Sequence, residues 1–141
     1  MGKLAVIIAT AAAATALTAI PAQAEPLVVY QLAGTNRCLA DTGSNVVLTT
    51  CNESATNQQW IVPVSADDVS HNVATRKCLA ATPAGDVLTQ VCGTGASQRW
   101  RRTPVTDRNF QFRHVTTSKC LTAQVTTAAC TTTTAKWNRL R

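Results

Sequence analysis

The stretch Tyr30-Gln-Leu-Ala-Gly-Thr-Asn-Arg-Cys38-Leu-Ala40 occurs three times along the chain in similar form. The second copy is Ser70-His-Asn-Val-Ala-Thr-Arg-Lys-Cys78-Leu-Ala80, and the third is Phe112-Arg-His-Val-Thr-Thr-Ser-Lys-Cys120-Leu-Thr122. Each copy continues through a short apolar stretch to a second cysteine and then to a tryptophan. A unit that returns about every 40 residues is typical of a repeat architecture. The sequence therefore predicts a fold made of three equivalent parts.

The segments around these landmarks have the pattern of short β-strands. Leu27 to Leu32 is apolar and β-branched, and Asn45 to Thr50 alternates weakly and is rich in Val and Thr. Gly, Asn, Ser and Thr separate such runs, and none keeps a helical period for three turns. Similar runs are Trp60 to Val64, Asp86 to Val91 and Asn109 to Val115. We therefore expect an all-β domain with about four short strands per repeat.

The six cysteines recur twice per repeat, which favours disulfides within repeats. Six cysteines allow about 15 pairings, and a unit repeated three times should carry its own bridge. The expected pairs are Cys38–Cys51, Cys78–Cys92 and Cys120–Cys130. Each would stabilise the fold by about 3 kcal/mol in the chain-entropy description. Because the chain has no Cys-x-x-Cys motif and its two histidines lie in different repeats, neither a metal site nor a cofactor is expected.

Trp60, Trp100 and Trp137 occur once per repeat, so they are expected at equivalent core positions. Gln58 and Gln98 precede their tryptophans by two residues and lie on the same strand face. Their amides are suited to satisfying buried backbone groups. The alternative is that the three tryptophans are exposed and stack on sugars. Burial is favoured because large aromatic side chains are mostly buried.

Residues 1–24 have the layout of a helical, cleavable signal peptide. Lys3 precedes the uncharged run Leu4 to Ile20, and Ala22-Gln23-Ala24 ends the segment with small residues at the positions that a signal peptidase reads. The alternative is a membrane anchor, for which this run is marginal in length. The expected product is a secreted domain of residues 25–141 with no membrane span. Its Ala-, Thr- and Arg-rich composition points to a bacterium.

Without Lys3, twelve Arg and Lys residues stand against seven Asp and Glu residues, which gives a net charge of +5. Such a charge attracts anionic partners, but it also keeps a secreted domain soluble. We favour solubility and expect no nucleic acid, because no basic run has the length of an interaction tail. No Ser–His–Asp motif is present, and the adjacent Asp67 and Asp68 suit a solvated turn, so the domain is not expected to be an enzyme.

The spacing of the Cys-Leu pair, the second cysteine and the tryptophan resembles the ricin B-type lectin family. Gln58-Gln59-Trp60 and Gln98-Arg99-Trp100 match its Gln-x-Trp signature, whereas Ala135-Lys136-Trp137 keeps only the tryptophan. The resemblance implies a β-trefoil over residues 25–141, with three pseudo-symmetric repeats at about 27–66, 67–106 and 107–141. It also implies one shallow sugar pocket per repeat.

The family's sugar-binding residues carry over poorly. The resemblance implies an aspartate two residues after the first cysteine, where this chain has Ala40, Ala80 and Thr122. It implies an aromatic residue two before the second cysteine, where the chain has Thr49, Gln90 and Ala128. Repeat one keeps an Asn-Gln pair and an aspartate one position late, so it is the best candidate glycan site. The expected sugar-binding residues are Asp41, Asn52, Asn57 and Gln58.

The alternative function is a non-catalytic accessory domain that has lost sugar binding and contacts a secreted protein partner. Its candidate surfaces are a threonine-rich segment and an arginine cluster. The threonines are Thr126, Thr127 and Thr131 to Thr134, and the arginines are Arg99, Arg101 and Arg102.

Overall fold

A computed structural model describes residues 26–62 and 69–140 of the chain. The predicted signal peptide (1–24) and the pair Asp67-Asp68 lie outside the described residues. Twelve strands form within that part of the chain, with single 3-10 turns at Thr56–Gln58 and Ala96–Gln98. The all-β prediction is confirmed. The strands are β1 Leu27–Leu32, β2 Arg37–Asp41, β3 Val46–Thr50, β4 Gln59–Ile61, β5 His71–Asn72, β6 Lys77–Ala81, β7 Val87–Val91, β8 Trp100–Pro104, β9 Phe110–His114, β10 Lys119–Leu121, β11 Thr127–Ala129 and β12 Trp137–Arg139.

Each repeat contributes four strands with the same connections. The first and fourth strands of the repeats pair in the order β8-β9-β12-β1-β4-β5, which gives a barrel-like sheet. The second and third strands form the hairpins β2–β3, β6–β7 and β10–β11. The first two hairpins have matching registers, with Cys38 opposite Thr49 and Cys78 opposite Gln90. The architecture is the β-trefoil that the resemblance implies.

The core is built from the same residues of each repeat. All three tryptophans are fully buried, as are the leucines of the three Cys-Leu pairs. Each indole N–H donates to the carbonyl of its own repeat's leucine, at 3.1 Å for Trp60 and Leu39 and 3.0 Å for Trp100 and Leu79. The third pair, Trp137 and Leu121, is longer at 3.4 Å. A buried indole needs such an acceptor, so the Cys-Leu carbonyl and the tryptophan form one core unit per repeat.

The disulfides join the cysteines within each repeat. The Cα–Cα distances are 4.9 Å for Cys38–Cys51, 5.0 Å for Cys78–Cys92 and 5.1 Å for Cys120–Cys130. This is the pairing that the repeat predicts. Each bridge ties the start of the second strand to the loop after the third strand, so it closes the base of a hairpin.

Candidate functional site

Gln58 connects the two backbone groups that flank Cys51. Its Nε2 donates to the Thr50 carbonyl at 2.9 Å, and its Oε1 accepts from the Asn52 N–H at 2.8 Å. Gln98 makes the same pair of bonds around Cys92, to the Val91 carbonyl and from the Gly93 N–H. Both glutamines are 4% exposed. The Gln-x-Trp glutamine is therefore a backbone clamp, and its amide is engaged within the protein.

Repeat three makes the same clamp with Thr134, which the sequence analysis placed in a candidate partner surface and not in the core signature. The Thr134 hydroxyl donates to the Ala129 carbonyl at 3.0 Å and accepts from the Thr131 N–H at 2.8 Å. Those two groups flank Cys130 as the others flank Cys51 and Cys92. The signal in the sequence is the shorter segment from the second cysteine to the tryptophan in repeat three. The shorter segment brings a short side chain close enough to the two backbone groups to replace the glutamine.

Asp41 has a different place from the one that the sequence analysis gave it. Its side chain is 1% exposed. One carboxylate oxygen accepts from the Gly43 N–H at 2.8 Å, and the other accepts from the Thr75 hydroxyl of repeat two. Lys77, the first residue of β6, donates to the Gly43 carbonyl at 3.0 Å. Asp41 therefore links the first hairpin to the second repeat.

The four residues expected to bind sugar do not converge on one pocket. Asp41 pairs with Val46 at one end of the β2–β3 hairpin, whereas Asn52 follows the other end, where Arg37 pairs with Thr50. At about 3.3 Å per residue, the two ends are roughly 13 Å apart. Because β2 stays regularly paired up to Asp41, the carboxylate of Asp41 lies away from Asn52, and sugar binding by these four residues stays a prediction.

Asn57 is half-buried in the first 3-10 turn. Its carbonyl accepts from Asn72 Nδ2 at 2.8 Å, and Asn72 is fully buried in repeat two. His114 makes the equivalent bond in the next repeat, where its Nε2 lies 2.9 Å from the Ser97 carbonyl. The backbone at this position therefore joins successive repeats.

Asn52 and Gln58 do lie together, in a cleft of about 870 Å³ beside the first disulfide. We call it the repeat-one cleft. Asn36, Thr50, Asn52 and Glu53 are its exposed polar residues, and Gln58 is its buried base. Asn52 Oδ1 accepts from the Ser54 N–H at 3.0 Å, which holds the loop in a turn. Amide and carboxylate groups that converge in this way are suited to hydrogen bonds with the hydroxyls of a small polar ligand.

A second cleft contains the family's pocket positions in repeat three. Thr122, Ala128 and Thr134 line a cleft of about 580 Å³, together with Gln124 and Lys136. We call it the repeat-three cleft. Many hydroxyls around it bond to protein groups, as in the 2.8 Å contact between Thr122 and Thr126. The threonine-rich segment thus forms much of one cleft wall, although Thr127 is only 8% exposed.

In repeat two the equivalent positions bond to each other. Gln90 replaces the aromatic residue, and its Oε1 accepts from the Ser97 hydroxyl at 3.3 Å. Ala80, at the aspartate position, is fully buried. The residues that would face a sugar in this repeat therefore offer little side-chain hydrogen bonding.

Residues 26–62 and 69–140 contain neither a metal-binding cluster nor a membrane-spanning helix. No group of three or more His, Cys, Asp or Glu side chains in those ranges is arranged to hold a metal ion. The helical turns of the same ranges include none with the length and apolar character needed to cross a membrane.

Comparisons with known proteins agree with this geometry. A family model described as a ricin-type β-trefoil lectin domain matches residues 28–139. No curated protein matches the chain by sequence. The designed threefold-symmetric protein ThreeFoil is similar in structure, with 16% identity, a TM-score of 0.71, and coverage of 82% of this chain and 98% of its own.

Two further solved structures have the same fold. SeviL, solved with asialo-GM1 saccharide, has 11% identity, a TM-score of 0.70, and coverage of 84% of this chain and 98% of its own. A β-1,3-galactosidase, BT0265, has 9% identity and a TM-score of 0.68. The match covers 81% of this chain but only 26% of that enzyme, so the trefoil corresponds to a part of the larger protein.

Proposed function

The chain belongs to the ricin-type β-trefoil lectin family, and we propose that it is a secreted carbohydrate-binding protein whose main sugar site is in repeat one. The observation that carries the proposal is the repeat-one cleft. There, exposed polar residues that include Asn36, Asn52 and Glu53 surround a backbone that is held by both a disulfide and a glutamine clamp.

The site is rigid on one side and adaptable on the other. Gln58 and the Cys38–Cys51 bridge fix the backbone at Thr50 and Asn52, so little ordering is needed there when a ligand binds. Asn36, Asn52 and Glu53 then offer hydrogen-bond donors and acceptors to sugar hydroxyls. The described residues that line the cleft include no aromatic ring, so we expect weak binding of a single sugar.

Secretion is part of the proposal. Three disulfides suit an oxidising compartment, and residues 1–24 have the signal-peptide layout. The exported protein should begin at Glu25, as measured by intact mass. A product that begins at Met1 would contradict this part.

An accessory role is the second candidate, and buried alanines at two of the three family aspartate positions favour it. Ala40 and Ala80 are both fully buried, so neither repeat has a carboxylate at that place. A domain of this kind would be non-catalytic and would contact a protein partner. The galactosidase match gives one setting in which such a trefoil is joined to an enzyme.

The test is a glycan array with residues 25–141, followed by calorimetry with the best neutral saccharide. Asn52→Ala should weaken binding about tenfold, because about 1–3 kcal/mol is lost with each missing hydrogen bond. Asn45→Ala is the matched control, because Asn45 is an exposed asparagine at the opposite end of the same hairpin, and it should change affinity less than about twofold. If the wild type binds no glycan, the lectin proposal fails, and a pull-down for a secreted partner becomes the next test.

A further inference from the structure

The turn between β8 and β9 and the last strand, β12, enclose a cleft that belongs to none of the family's sugar pockets. It has a volume of about 670 Å³. Arg102 comes from β8, Arg108 from the turn and Arg139 from β12. We call it the arginine cleft. The β8–β9 hairpin and the distant strand β12 together contribute three arginines to the lining of this cleft.

The charge of the arginine cleft is unbalanced. Among its described lining residues, Asp107 is the single acid beside the three arginines. The outer face of the same β8–β9 hairpin adds more positive charge, because exposed Arg101 lies directly opposite exposed Arg113. The hairpin therefore has positive charge on both faces, which favours the approach of anions to this part of the surface.

The remaining lining groups suit a sugar more than a nucleobase. Asn109 lines the cleft, and its Oδ1 is buried without a hydrogen-bond partner among the described residues. A rotation of this amide would present the oxygen to a ligand hydroxyl. Phe110 is only 9% exposed, and it is the single aromatic residue among the described residues that line the cleft. Stacked bases need exposed aromatic faces, so the surface lacks the main feature of a single-stranded nucleic-acid site.

We propose that the arginine cleft binds an acidic saccharide through a carboxylate or sulfate group. The planar guanidinium groups match such oxyanions with paired N–H donors. Asn109 accepts from a neighbouring hydroxyl of the same ligand, and Pro104 offers an exposed apolar surface to the sugar ring. The site is separate from the repeat-one cleft, so the domain would recognise acidic and neutral sugars at two different places.

The test is calorimetry with residues 25–141 and four probes: a galacturonate trisaccharide, a sulfated heparin tetrasaccharide, a neutral galactose trisaccharide and a short single-stranded DNA. Arg108→Gln should weaken acidic-saccharide binding about tenfold, and Arg108→Gln with Arg139→Gln should weaken it further. Arg113→Gln is the matched control, because it removes the same charge from the other face of the hairpin. It should change the affinity less than about threefold at moderate salt.

Each outcome separates the possibilities. Loss of binding in the Arg108 variants, with the control intact, supports the site, and the probe that binds identifies the oxyanion. Equal losses in Arg113→Gln would show a diffuse field and overturn the proposal. Tighter binding of DNA than of either acidic saccharide would also overturn it, as would no acidic binding by the wild type. Asn52→Ala should leave acidic binding unchanged, so failure of the repeat-one site and failure of this site are distinguishable.

Discussion

Repeats two and three satisfy the same backbone groups with different side chains. In repeat two, Gln98 reaches the carbonyl before Cys92 and the N–H after it. In repeat three, the Thr134 hydroxyl makes both bonds around Cys130. Gln98 is six residues after its cysteine, whereas Thr134 is four residues after its own. The shorter loop of repeat three brings the backbone of Thr134 closer to the two backbone groups. A threonine hydroxyl, two bonds from Cα, therefore replaces a glutamine amide, whose polar atoms are four bonds from Cα.

The difference shows what the fold requires. The two backbone groups beside each second cysteine have a side-chain partner in all three repeats, and these bonds are half-buried in repeats one and two and exposed in repeat three. The identity of the side chain matters less than its reach. A signature based on glutamine therefore detects two repeats and misses the third, although all three keep the bonds.

The largest expected effect tests whether the repeats are equivalent in the core. Trp100→Ala and Trp137→Ala should each lower the free energy of unfolding by about 3–5 kcal/mol, because both side chains are fully buried. Trp100 should cost more, since its ring stacks on Phe112 at 5.1 Å and meets His114 edge-on at 5.0 Å. Urea unfolding measures both values. Val91→Ala, at an 84% exposed position, should change stability by less than about 0.5 kcal/mol.

Substitution of Asp41 tests a side-chain hydrogen bond between successive repeats that, among the described residues, only repeats one and two make. Thr75 donates to Asp41 of the preceding hairpin, whereas Thr117, at the equivalent position, contacts His114 Nδ1 at 3.0 Å. Asp41→Ala should lower the free energy of unfolding by about 2–4 kcal/mol, since two hydrogen bonds to a buried carboxylate are lost. Asp86→Ala, at an exposed position with one longer contact to Thr82, should cost less than about 1 kcal/mol.

A loss of glycan affinity in folded Asp41→Ala would contradict this structural role. Such a loss would indicate that the Asp41 carboxylate binds the sugar, as the sequence analysis predicts. Calorimetry at a temperature well below the variant's unfolding transition separates the two effects.

The fold was predictable because its determinants are local and occur three times. The Cys-Leu pair, the second cysteine and the tryptophan each recur at nearly constant spacing. Once a repeat is recognised, one disulfide pairing is favoured, and the burial of three large aromatic residues follows from their threefold placement. One repeat alone is not enough to predict the fold, but the agreement of the three repeats is.

The site was less predictable because it depends on which residues meet across repeats. Asp41 and Asn52 are close in sequence, yet the regular β2–β3 pairing holds them at opposite ends of a hairpin. The partner of Asp41 is Thr75, which is 34 residues away. The arginine cleft likewise joins Arg102 to Arg139, and neither strand pattern nor local charge shows that β8 and β12 approach the same turn.

The clamps themselves give the next prediction. Gln98→Ala should lower the free energy of unfolding by about 2–3 kcal/mol, because two bonds of a buried amide are lost. Thr134→Val should cost about 1 kcal/mol, since its surroundings are more exposed. Amide hydrogen exchange gives the local readout. Gly93 should lose protection in the first variant and Thr131 in the second, whereas exchange of both groups should be unchanged in Ser44→Ala, an exposed position.

The smallest expected effect tests whether the Gln-x-Trp signature or the length of the loop after the second cysteine determines which side chain forms the clamp. Ala135 is two residues before Trp137, where the other repeats have glutamine, and it lines the repeat-three cleft. Thr134→Val combined with Ala135→Gln restores the signature in repeat three. The longer side chain begins on a shorter loop, so its amide does not meet the two backbone groups with the geometry of the other repeats. We expect stability within about 0.5 kcal/mol of Thr134→Val alone, with Thr131 still unprotected against exchange. If the protection of Thr131 returned, the glutamine would be able to adapt to either loop length, and the use of threonine in repeat three would not follow from spacing.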